Sequence, residues 1–105
     1  MSIAEIARRA AALEQENRRL LILQALKEDR DYRINDRELQ AIARITGRSL
    51  SLDELHAELN WLEDNDLVEL ERLDSIVIAR LKHRGLEIVD GMAIVPGVAR
   101  PALDL

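Results

Sequence analysis

Apolar residues near the start of the chain recur at alternating intervals of three and four: Ile3, Ile6, Ala10, Leu13 and Leu20, with Asn17 as the one polar member of the series. This spacing predicts a helix with a coiled-coil seam. Ser2 and Glu5 form a capping-box pattern at its start. Asn17 falls on an a-type position, where an Asn can pair with its copy across a two-fold axis and fix register. Two readings follow. In one, Ile3, Ile6, Ala10, Leu13 and Asn17 pair with a second copy; in the other, a single amphipathic helix lies on its own domain.

From Arg18 the pattern changes. Leu20, Leu21, Ile22, Leu23, Ala25 and Leu26 leave almost no polar face. A helix apolar all round is a buried one, so residues 18–28 are expected to be the central helix of the domain, either separate from the first or continuous with it. The charged run from Lys27 to Asp31 ends it. A further helix starts at Asn35, with Glu38 three residues on and Ile34 and Leu39 placed to form a hydrophobic staple. Leu39, Ile42 and Ala43 form its stripe, and Gly47 suits a left-handed stop.

After a short turn the start signal repeats. Ser51 caps, Glu54 follows at the third helical position, and Leu50 and Leu55 are a second staple pair. Leu52, Leu55, Leu59 and Leu62 share one face; Asp53, Ala57, Asn60 and Asp64 share the other. Asn65 is the expected left-handed terminator of this helix, which spans about 52–65. The period then drops from 3.6 to 2. Val68 and Leu70 alternate with Glu69 and Glu71, and Ile76 and Ile78 alternate with Val77 and Ala79. That predicts a hairpin with strands over about 67–73 and 76–81. Its tip, Asp74-Ser75, lacks the glycine that primed turns prefer, so a slightly longer tip is also consistent with the sequence. A last helix is expected over about 82–90, stopped by Gly91. Pro96-Gly97 reads as a type II turn in an apolar tail whose docking place the sequence does not fix.

The order helix, helix, helix, strand, turn, strand, helix is that of winged helix-turn-helix regulators. Two junctions resemble them closely. Leu59-Asn60-Trp61-Leu62-Glu63-Asp64-Asn65-Asp66-Leu67-Val68 is similar to the "L-x-x-L-x-x-x-G-L-V" step from recognition helix to wing, with Asp66 where glycine is usual. Ile78 to Leu86 is similar to the "L-T-x-x-G" entry into the closing helix. The full length resembles small proteins of Mu-like prophages. The resemblance rests on Leu59-Asn60-Trp61-Leu62-Glu63, on Arg84-Gly85-Leu86-Glu87-Ile88, and on the stretch from Val95 to Pro101. Such proteins are commonly described as ArsR-like by fold analogy. The resemblance implies a mainly α fold with a small β-hairpin, a winged helix-turn-helix carrying an extra N-terminal helix. Its parts would be an N-terminal dimerisation helix (1–17), a winged-helix domain (18–91) and a tail (92–105).

Composition narrows the function. The 105 residues carry a formal net charge of -5, contain no cysteine, and include one Trp and one Tyr. Disulfides, thiolate catalysis and Cys-type zinc sites are excluded, including the metal-sensing cysteines of some ArsR-like regulators. No apolar run is long enough to span a bilayer and no signal-peptide layout is present. A cytoplasmic protein without a membrane partner is expected. His56 and His83 fall on different elements, and no phosphate loop or ligand spacing accompanies them, so no enzyme activity, metal or cofactor is expected.

The expected partners are a second copy, double-stranded DNA, or another phage or host protein. The residues that could meet DNA are Arg37, Arg44, Arg48, Ser51, His56, Asn60 and Arg72. Against that role, Ser49 through Glu71 contains no Lys or Arg but eight acidic residues, each repelling phosphate at short range. Basic residues gather instead in two other places: Arg8, Arg9, Arg18 and Arg19, and then Arg80, Lys82, His83 and Arg84. Trp61, beside the buried stripe, is a candidate partner anchor or a residue packed under the wing. The leading expectation is a DNA-binding protein of the regulator type; the alternative is a protein-interaction module with an acidic docking helix.

Overall fold

The structure, a computed structural model, describes residues 1–102; the last three residues of the tail lie outside them. The chain runs α1 (Ile3–Glu28), β1 (Arg33–Asn35), α2 (Asp36–Ile45), α3 (Leu52–Asp64), β2 (Val68–Leu73), β3 (Ile76–Leu81) and α4 (His83–Val89). The three strands form one antiparallel sheet in the order β1-β3-β2. The helices and hairpin make a winged helix.

The capping signals act as the sequence predicts. Ser2 Oγ accepts from the Glu5 N–H, and Asn35 Oδ1 accepts from the Glu38 N–H at 2.9 Å. Ser51 and Glu54 exchange both bonds of a full capping box. The staple partners Ile34, Leu39, Leu50 and Leu55 are all buried. The two helices expected before residue 29 are one continuous 26-residue helix. Its second half lies in the core, where Leu23 and Leu26 are fully buried beside Leu55, Leu59, Leu62, Leu67 and Ala79.

Two details differ from the sequence reading, and two that it left open are decided. β1 was not expected: three residues are too few to show a period, and the strand exists because Arg33–Asn35 pairs with Arg80–Ile78. The left-handed residue after α3 is Asp66 (φ 65), while Asn65 keeps φ -95. Asp66 therefore takes the conformation that glycine has in the motif. The hairpin tip is the shorter form, since Leu73 pairs directly with Ile76 and Asp74 alone takes a positive φ. On β3 the inward set is Val77, Ala79 and Leu81, whereas Ile76 is exposed. Both sets are apolar apart from Arg80, so only pairing fixes which one faces the core.

Two glycines close the fold. A Cβ on Gly85 would lie 2.4 Å from the Leu67 carbonyl oxygen, so α4 packs on the α3–β2 junction only with glycine there. Gly97 (φ +99) forms the Pro-Gly turn, closed by the Val98 N–H donating to the Val95 carbonyl. From that turn the tail runs back onto α1, where the Ala99 N–H donates to the Glu16 carbonyl. Val95 and Val98 are buried by this docking.

Candidate nucleic-acid interface

Helix α3 and the hairpin frame the candidate surface. Its base is organised by a buried carboxylate. Asp36 opens α2 and has no exposed surface. His56 Nε2 lies 2.8 Å from its Oδ2, and the Arg37 N–H donates to its Oδ1 at 2.9 Å. Burial pushes the Asp36 carboxyl up, but hydrogen bonds from His56 and from the backbone N–H groups of Val77 and Arg37 outweigh it. The group is held below its ordinary value. One carboxylate thus joins α2 and α3.

Above this pair lies a shallow cleft between α3 and the wing, lined by His56, Asn60, Leu70, Arg72 and Val77. Arg72 reaches from the wing to α3, donating to Asn60 Oδ1 at 2.9 Å and to Glu63 Oε1 at 3.1 Å. The other oxygen of Glu63 accepts the Leu70 N–H, which ties the wing to the helix. Three of the residues singled out from sequence, His56, Asn60 and Arg72, therefore come together. Each also has an intramolecular partner.

The other four are dispersed. The Ser51 hydroxyl caps α3. Arg48, in the α2–α3 turn, pairs with Glu14 of α1 at 2.6 Å. Arg37 and Arg44 stand exposed on α2, with no side-chain ion pair among the described residues. The outward face of α3 carries Asp53, Glu54, Asn60 and Asp64, all exposed. Glu54 is held below its usual range by hydrogen bonding to Ser51, and by Arg18. Several of the basic residues elsewhere are also paired: Arg18 with Glu14 and Glu54, Arg80 with Glu69, Lys82 with Asp66. Asp66 is held low by that Lys82 contact.

Trp61 is half-buried, and its ring is covered by the Arg19 guanidinium at 3.8 Å. Gly97 of the tail packs on the same ring. Arg19 is itself buried. Its Nε donates to Glu58 at 3.1 Å and its Nη1 to the Gly97 carbonyl at 3.0 Å. This cluster was missed in the sequence, because Arg19 and Glu58 read as ordinary surface charges 39 residues apart. The clue lay in periodicity: both stand beside leucines of a buried stripe.

The five seam residues have a different setting. Every residue from Met1 to Leu13 is exposed, so Ile3, Ile6, Ala10 and Leu13 lie on an arm that projects from the domain, and Asn17 is half-buried at its root. The reading in which this helix lies on its own domain is therefore not the observed arrangement. Among the described residues no three His, Asp or Glu side chains group as metal ligands, and no helix is long and apolar enough to cross a membrane.

No protein-family model matches the chain. It is 35% identical over 86 residues to an uncharacterized protein, gp26, of Escherichia phage Mu, covering 82% of this chain and 88% of that protein. Two solved structures are similar in fold, the complex structures of hsRosR-S1 and hsRosR-S4. Each superposes with a TM-score of 0.58 at 22% identity over 69% of this chain. The match spans 63% and 62% of those chains. At that identity the likeness shows the winged-helix fold alone.

Proposed function

We propose, for a chain that belongs to the family of the phage Mu protein gp26, a DNA-binding role of the regulator type, ArsR-like in architecture. The observation that carries this reading is the convergence of His56, Asn60 and Arg72 on one cleft between α3 and the wing. Asn60 brings an amide suited to a base edge, and Arg72 brings N–H groups suited to a phosphate. Arg37 and Arg44, exposed on α2, add phosphate contacts from the preceding helix. Arg48 and the Ser51 hydroxyl stand at the turn between the two. A binding role, not a catalytic one, belongs to the same reading.

The test is titration of labelled duplex DNA at low and at physiological salt. Binding should weaken with a log–log slope of roughly -0.9 per phosphate neutralised. Arg72→Ala should reduce that slope by about one contact. Absence of binding at low salt removes the proposal.

A second reading has its own support. The outward face of α3 is acidic, and Arg72 is already neutralised by Glu63. Those features suit a basic protein partner, phage or host, better than a polyanion. A complex with such a partner would lose affinity when Asp53 and Asp64 are neutralised. Trp61 would be its anchor only after the tail leaves the ring.

A further inference from the structure

We propose that two copies of this chain pair through their projecting α1 arms, parallel and about a two-fold axis. This does not rest on the nucleic-acid reading. Ile3, Ile6 and Leu13 are 86%, 53% and 61% exposed, on a helix segment where every residue up to Leu13 is exposed. A dozen helical residues without tertiary support are marginal in water. The seam also points the right way. At 3.6 residues per turn it lies roughly a third of a turn from the face that Arg19, Leu23 and Leu26 bury in the domain. A partner helix can therefore reach it without displacing the wing or the tail.

Charge selects the occupant and its direction. With Ile3, Ala10 and Asn17 at a positions and Ile6 and Leu13 at d positions, Arg9 falls on a g position and Glu14 on the following e position. In a parallel pair the g and e' positions meet. Each Arg9 then faces Glu14 of the partner subunit, twice by symmetry, and the two Asn17 side chains meet across the axis. Glu14 is already fixed at the seam edge by Arg48, while Arg9 has no ion pair among the described residues. Antiparallel overlays fit worse. The one that layers Ile3 on Leu13 of the partner subunit sets Arg9 against its own copy. The longer one sets Ile3 on Leu20, which its own domain covers to 8% exposure.

The 105 residues include no cysteine, so a single introduced thiol reports direction. Wild type should sediment as a dimer, and Leu13→Cys should form a disulfide-linked dimer under mild oxidation. Ile6→Asp should give a monomer whose Trp61 near-ultraviolet signal is unchanged, showing the domain intact. Arg9→Glu should weaken the dimer roughly three- to tenfold through two exposed pairs. A wild-type monomer at the highest soluble concentration overturns the proposal. So does a dimer that Ile6→Asp leaves intact. An antiparallel pair, in which Ile3→Cys and Leu13→Cys chains cross-link only when mixed, overturns it as well.

Discussion

His56 Nε2 sits 2.8 Å from Oδ2 of Asp36, a carboxylate with no exposed surface at the start of α2. The contact ties the start of α2 to α3, the two helices of the helix-turn-helix. Because Asp36 is held below its ordinary value of 3.8, its contribution to stability is fully present above that value. It is lost as pH falls through the lower folded value. Urea unfolding followed across the acid range should show this loss in wild type and a flatter profile in Asp36→Asn. Equal slopes in the two proteins would count against it. Asp36→Ala should cost about 1–3 kcal/mol at neutral pH for each buried N–H it leaves unpaired.

Arg19 and Glu58 form a second buried pair, and its two ends are not equivalent to two surface charges. Glu58→Ala leaves a guanidinium buried beside Trp61 without its carboxylate, which should cost about 3–5 kcal/mol. Removing both charges, as Arg19→Met with Glu58→Leu, should be less destabilising than the single change. Chemical denaturation of the two variants beside wild type decides this. A double variant less stable than Glu58→Ala would sink it.

Gly97→Ala tests the docking of the tail. Its Cβ would lie 2.6 Å from the Trp61 ring, and the backbone there is left-handed. The tail should lift, at a cost of roughly 1–3 kcal/mol. Trp61 is the sole tryptophan, so its emission should move to the red as the ring meets water. Unshifted emission with unchanged stability would show that the tail packs some other way.

Asp66 occupies a left-handed position that glycine adopts without cost. Asp66→Gly relieves that strain and gives up only an exposed ion pair with Lys82, worth about 0–1 kcal/mol. The variant should match wild type or exceed it slightly in thermal midpoint. Asp66→Val should lose about 1–2 kcal/mol, the penalty for a side chain in that region. A clear loss for the glycine variant would mean the Lys82 contact matters more than the backbone.

The sequence by itself determined the helices, their caps, the hairpin and the architecture that follows from their order. Those features are written in neighbouring residues: Asn35 with Glu38, Ser51 with Glu54, a leucine every three or four positions. It also determined that the start of α1 carries an apolar seam. Only the tertiary structure decided that this seam faces solvent, because periodicity locates a face without saying what lies against it. The same limit explains β1, whose three residues become a strand only beside β3, and the inward set of β3, where pairing alone chose Ala79 over Ile78. It explains the candidate interface too. His56, Asn60 and Arg72 could be named from their chemistry, but their partners Asp36 and Glu63, like the Arg19–Glu58 pair under the tail, are set by packing between distant segments. A charge in a sequence is free until the fold supplies or withholds its counterpart.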